Sequence, residues 1–205
     1  MSDIPGTAGY DTHAATLADQ YESISFADVH RELLHLFPAA PSRVLDIGAG
    51  SGRDAAALAQ RGHSVTAVEP TAGLRQEGQR RHAALPLVWV DDHLPQLPRV
   101  CAMGQRFDLV LLTAVWMHLD AAERATAMQA VAGLVDAGGQ LFMSLRHGPV
   151  PAQRRMFDVS AEETIALAAP HGLHCRHQAR REDMLGRAAV HWSFLALQRG
   201  AAAGH

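Results

Sequence analysis

The chain predicts an α/β fold: a doubly wound, mostly parallel seven-stranded sheet with helices on both faces and an antiparallel C-terminal edge strand. Three observations carry this expectation. The apolar run Val44-Leu45-Asp46-Ile47 ends in a glycine-spaced turn that opens a helix. Short apolar runs then alternate with helical periodicity as far as residue 145, the pattern of repeated strand-helix units. Two apolar stretches near 173–178 and 191–198 follow without a helix between them, which suits an antiparallel hairpin.

Each element has a local reason. Residues 1–9 read as a loose tail. Residues 10–37 carry Leu17, Tyr21, Ile24, Val29, Leu33, Leu34 and Phe37 at helical spacing, an N-terminal helical cap that Pro38 and Pro41 stop. The core spans 43–198. A helix over 53–59 ends at Gly62, and a strand over 63–68 ends at Glu69. A polar helix over 71–84 leads to a strand over 87–90, closed by Asp91 and Asp92; Pro95 and Pro98 mark a loop. A buried strand over 107–112, a helix over 121–134, a turn at 136–139 and a strand over 140–145 complete the alternation. Ser160 followed by Glu163 is a capping-box pattern that starts a helix over 160–169. No linker or repeat divides the 205 residues, so one domain is expected.

Composition narrows the classes. The net charge of −3 argues against broad electrostatic attachment to nucleic acid. Every basic side chain other than histidine is arginine, and asparagine is absent as well. No apolar run approaches membrane-spanning length, and no secretory pattern opens the sequence, so a cytoplasmic protein without membrane partners is expected. Cys101 and Cys175 are too few for a disulfide framework. His171, His174, Cys175 and His177 include metal-ligand types, but strand alternation sends His174 to one face and Cys175 and His177 to the other, so no metal is expected.

The glycines at 48, 50 and 52 let the backbone turn tightly and leave peptide groups open to a ligand. The dinucleotide fingerprint would place its third glycine at 53, which is Arg53, and this disfavours a nicotinamide cofactor. Glu69, about 20 residues past the turn, sits where an acid accepts ribose hydroxyls. With these residues in order, the chain resembles the class I S-adenosylmethionine-dependent methyltransferases over roughly residues 10–197.

That resemblance implies S-adenosyl-L-methionine as cofactor. Asp46 would hold its ammonium, directly or through water, and the backbone of Gly48, Ala49, Gly50 and Gly52 would approach its amino acid and ribose, with Arg53 opening the following helix. Glu69 and the adjacent Pro70 would face the ribose. Asp91 or Asp92 would take the adenine amino group, Asp91 being preferred as the first residue after the strand. Thr113 would border the cofactor, and Tyr21 belongs to the leading segment that closes over it.

For the acceptor, Trp116-Met117-His118 resembles the small-molecule methyltransferases of the UbiE and tellurite-resistance types. The Asn/Asp-Pro-Pro-aromatic motif of base-methylating enzymes is absent, which makes a nucleic-acid partner unfavoured. His118 is the expected general base for a hydroxyl acceptor, and Trp116 would contact substrate. Arg146, His147, Arg154 and Arg155 are expected to roof the acceptor site and suggest a small anionic molecule, unless the arginines pair with Asp158, Glu162 or Glu163. A nucleic-acid or protein methyltransferase, and a non-catalytic S-adenosylmethionine-binding protein, are the alternatives.

Overall fold

The computed structural model describes residues 13–150 and 154–201. The expected tail at 1–9 lies outside the described residues. The leading segment is broken rather than continuous: α1 (Ala14–Glu22), α2 (Phe26–Val29) and a single 3-10 turn (Leu34–Leu36). The break follows from Ser25, whose extended backbone stops one helix while its hydroxyl accepts the Asp28 N–H at 3.1 Å and starts the next.

Strands and helices then alternate: β1 (Arg43–Ile47), α3 (Arg53–Gln60), β2 (Ser64–Val68), α4 (Ala72–Arg81), β3 (Leu87–Val90), α5 (Pro98–Ala102), β4 (Phe107–Thr113), α6 (Ala121–Leu134), β5 (Val135–His147), α7 (Ala161–Ala168), β6 (Leu173–Glu182) and β7 (His191–Arg199). They form one seven-stranded sheet in the order β3-β2-β1-β4-β5-β7-β6. β1 to β5 are parallel; β7 lies antiparallel between β5 and β6.

The central strands are apolar on both faces because helices cover both. Along β4, Val110 and Leu112 join Met128, Val131 and Leu145 in one core, while Leu109 and Leu111 face Phe26, Leu33 and Leu58 in the other. The chain order reverses between β1 and β4. Ligand crevices in open sheets form at that switch point, beyond the carboxyl ends of the strands.

Several local expectations change. Pro98 occupies the first turn of α5 instead of a loop, because the Asp92 carboxylate accepts the Arg99 and Val100 N–H groups at 2.8 and 2.9 Å. The expected turn at 136–139 is an irregular start to β5, where Phe107 pairs with Val135 before the register shifts. β5 also runs two residues past 145, so Arg146 and His147 are strand residues on opposite faces. At α7 only half of the capping box forms: Ser160 accepts the Glu163 N–H, while the Glu163 carboxylate goes to Arg124 at 2.8 Å. A complete box starts α6, between Asp120 and Glu123.

Trp89 is a wedge between the β1 turn and α4. A methyl group added at Gly78 would lie 2.3 Å from its ring and 2.8 Å from the Ser51 carbonyl oxygen. Glycine inside a helix ordinarily costs about 0.5–1 kcal/mol relative to alanine. Here the sign reverses: Gly78→Ala is expected to destabilise by about 1–3 kcal/mol, the usual range for overpacking. Gly133→Ala in α6, where a Cβ meets nothing within 4 Å, should stabilise by up to about 1 kcal/mol. Urea unfolding of both variants checks the contrast.

Candidate active site

The site is built on the turn that follows β1. The Gly48 and Ala49 N–H groups donate to the Val68 carbonyl at 2.8 and 2.9 Å, tying the turn to the end of β2. One residue further along β2's exit, Glu69 takes the Gly50 N–H on Oε2 at 2.9 Å and the Thr71 N–H on Oε1 at 2.8 Å. Burial raises the Glu69 pKa above the ordinary carboxylate value, and these amides oppose the rise. Gly48 and Gly50 have φ of +73° and +57°, and a Cβ at Gly48 would come within 2.5 Å of Val115.

Asp46 points into this turn from β1. One of its oxygens takes the backbone N–H of Ala55, and Oδ2 is buried with no partner among the described residues. Burial holds its pKa well above the carboxylate range, and the charge of Asp54 adds to the effect. Asp54 is held low despite its burial, because His30 Nε2 lies at 2.8 Å and Arg53 Nε at 2.7 Å. The neighbouring carboxylate thus has two cationic or donor partners, and Asp46 Oδ2 has none.

α1 covers the turn. Glu22 accepts the Ser51 hydroxyl at 2.7 Å and lies 3.1 Å from His82 Nε2, Arg53 donates to the Tyr21 carbonyl, and the Tyr21 ring packs over Gly50. Beneath α1 runs a cavity of about 560 Å³ that extends to His118, Arg146 and the β6–β7 connection. Its size suits a cofactor together with a small molecule.

Of the residues singled out from sequence, Asp46, Gly48, Ala49, Gly50, Arg53, Glu69, Pro70, Asp92, Thr113, Tyr21, His118, Arg146 and Arg154 line this cavity. Five do not. Gly52 caps α3 behind the turn, against Trp89. Asp91 points outward to Arg75 at 3.2 Å; its neighbour Asp92 lines the cavity while capping α5. Trp116 is fully buried in the core. His147, on the strand face opposite Arg146, bonds Ser193 at 2.8 Å and stacks on His191. Arg155 turns back to Glu123 and Asp120 at 2.7 and 3.2 Å, not to the acidic partners expected further along the chain.

Sequence reasoning missed Asp183, Trp192 and Phe194 as cavity residues. Their signal is register. Ser144 pairs with Phe194 and Arg146 with Trp192, so all four share one sheet face. Met117 also lines the cavity, unlike Trp116. His174, Cys175 and His177 lie on β6 around a bulge, and among the described residues no group of three or more His, Cys, Asp or Glu is placed to hold a metal.

His118 sits in a 3-10 turn (Trp116–His118) reached through Ala114, whose φ of +58° swings the chain off β4. Its Nδ1 lies 2.8 Å from the Arg155 carbonyl, an acceptor only, so Nδ1 carries the proton and Nε2 keeps its lone pair. The Arg155 guanidinium returns a 2.7 Å bond to the His118 carbonyl. Burial lowers the His118 pKa, and the charges of Arg154, Arg155 and Arg146 push the same way. At neutral pH the ring is therefore a neutral base with one free nitrogen.

This architecture is that of the class I S-adenosylmethionine-dependent methyltransferases. Residues 44–139 match the model of a methyltransferase domain family. An uncharacterised methyltransferase of Mycobacterium bovis is 34% identical over 132 residues, 60% of this chain and 64% of that protein. A ubiquinone biosynthesis O-methyltransferase of Pseudomonas aeruginosa is 30% identical over 154 residues, 72% of this chain and 62% of that protein. The chain thus spans just under two thirds of the length of these relatives. Among solved structures, the magnesium protoporphyrin IX methyltransferase of Synechocystis PCC 6803 with bound SAH superposes with a TM-score of 0.71 at 17% identity, covering 96% of this chain and all of that one. Residues 44–139 are accordingly a methyltransferase domain on the class I fold.

The reciprocal bonding of residues 118 and 155 has a measurable consequence. Arg155→Ala removes a positive charge near His118, so the imidazole titration is expected to move up toward about 6.5. NMR titration of the ring protons reads this directly; an unmoved midpoint would show that the Arg155 charge is not felt there.

Proposed function

We propose that the chain binds S-adenosylmethionine between α1 and the glycine turn and transfers its methyl group to a small acceptor between His118 and Arg146. The observation that carries this is the buried, partnerless Oδ2 of Asp46 at the mouth of a backbone cradle. A buried carboxylate oxygen without a partner is costly. An ammonium donor satisfies it, and the cofactor's aminoacyl group offers one. Glu69 accepts the Gly50 and Thr71 amides and the Thr71 hydroxyl, which leaves its carboxylate one acceptor position for a ribose hydroxyl. Asp92 has both oxygens engaged by backbone N–H groups, with Oδ1 carrying only that of His93, so Oδ1 has spare capacity toward adenine.

When bound, the cofactor supplies a sulfonium-activated methyl group as the electrophile. The protein's part is alignment and exclusion of water, which the covering helix α1 and the apolar rim favour. His118 Nε2 accepts the proton of an acceptor hydroxyl, with Nδ1–H held by the Arg155 carbonyl. The name of the Pseudomonas relative, an O-methyltransferase, supports an oxygen acceptor. Arg146 supports an anionic one: it is 9% exposed, lines the cavity, and its pKa is lowered by burial and by the charge of Arg187, with the Asp183 charge opposing and that of Arg154 adding.

For a phenolic or alcoholic acceptor, kcat/KM should rise with pH through a limb below about 6.5 and be level at neutrality, because the base must be unprotonated and its pKa is lowered. His118→Asn should lower kcat by about 10²–10⁴-fold with cofactor affinity retained. Release of S-adenosylhomocysteine measures both; a variant with the wild-type rate and profile would remove His118 from the reaction.

A further inference from the structure

The arginines around the acceptor end are not equivalent. Arg187 is held by both oxygens of Asp183 at 2.7 and 2.8 Å. Arg181 donates to the Asp28 and Val29 carbonyls and lies 3.9 Å from Glu32. Arg155 is taken up by Glu123 and Asp120. Arg146 alone of these four has no carboxylate within 4 Å among the described residues, and its one hydrogen bond is a 3.4 Å contact to the Gly148 carbonyl. A guanidinium fork that lines a cavity with so little protein pairing suits a planar anion.

A second feature adjoins it. Residues 183–190 connect β6 to β7, and Asp183 folds this tip: it accepts the Leu185 and Arg187 N–H groups at 3.0 and 3.3 Å and the Trp192 indole N–H at 3.0 Å. The tip nevertheless turns Met184 and Leu185 to the cavity while leaving them 40% and 50% exposed. Large apolar side chains that rim a concave site without protein cover mark contact with a ligand. Met156 faces the same space, and Trp192, paired with Arg146 across β5 and β7, joins the apolar rim to the guanidinium.

We infer that the acceptor is amphipathic, with a carboxylate anchored on Arg146 and an apolar body lying under the Met184–Leu185 tip. This rests on the reading of the cavity as an acceptor site, and it deepens that reading by naming the class: a hydrophobic hydroxy acid whose carboxylate is an anchor rather than the methylated group. The anchor holds one end, the tip covers the body, and the hydroxyl is presented to His118.

The test is calorimetric and needs no turnover. Butanoate, hexanoate and octanoate, with hexanol and octanol as neutral partners, are titrated into the full chain with and without saturating S-adenosylhomocysteine. Affinity should tighten up to about fourfold per added methylene. Each acid should bind roughly tenfold or more tightly than its alcohol. Arg146→Ala should abolish the preference for acid and keep the chain-length increment. The double substitution Met184→Ser with Leu185→Ser should do the reverse. Equal binding of octanoate and octanol, or affinity independent of chain length, overturns the inference. S-adenosylhomocysteine failing to bind would instead overturn the cofactor reading, and the ligand-free titrations would still decide this one.

Discussion

The interlock between the end of β2 and the turn after β1 is the constraint on which the rest depends. Val68 accepts two amides of the turn and Glu69 accepts a third, so two adjacent strand ends hold one loop in a single shape. That shape aims Asp46 and the turn's backbone into the crevice at the sheet's switch point. It also fixes where α3 begins, and Trp89, packed against Gly52 and Gly78, transmits the position of α3 to α4. The glycines are needed as much for this packing as for access to a ligand. A side chain at 48 would meet Val115, and one at 78 would meet Trp89.

Charge is distributed unevenly around the cavity. Beside the glycine turn, Asp54 is paired with His30 and Arg53, whereas Asp46 keeps one buried oxygen, Oδ2, with no hydrogen-bond partner among the described residues. At the acceptor end, Asp183 and Glu123 take up Arg187 and Arg155, which leaves Arg146 without an acidic partner. The two groups are of opposite type, a carboxyl at one end and a guanidinium at the other. Sites of this kind are kept at the expense of stability and repaid on binding.

Most of the fold was legible because apolar runs and turn residues act locally. The run 44–47, the Gly62 stop and the helix over Ala121–Leu134 are specified by neighbours a few positions away. Local signals also exposed the part of the cavity at the glycine turn, since Asp46, Gly48, Gly50 and Glu69, which line it, each lie at or just past a strand end. The acceptor end was less legible because it depends on pairing between distant segments. Whether Arg146 or His147 faces the cavity is decided by the register of β5 on β7, and Asp183 enters the site only through that hairpin. Trp116 and Met117 show the same limit: both are apolar neighbours in a 3-10 turn, and only the packing of β4 against α6 decides that the indole goes to the core. Arg155 escaped because its partners, Asp120 and Glu123, lie over thirty residues earlier.

Asp46 and the glycine turn are proposed here as the site for the adenosyl cofactor. Calorimetric titration of S-adenosylhomocysteine and NADH into the wild-type chain and the Asp46→Asn variant tests it most directly. S-adenosylhomocysteine should bind the wild type and NADH should not. The variant should fold with undiminished thermal stability, having lost a buried carboxyl whose ionisation burial opposes, and should bind S-adenosylhomocysteine at least about tenfold more weakly. Binding of NADH in place of S-adenosylhomocysteine, or undiminished affinity in the variant, would contradict it.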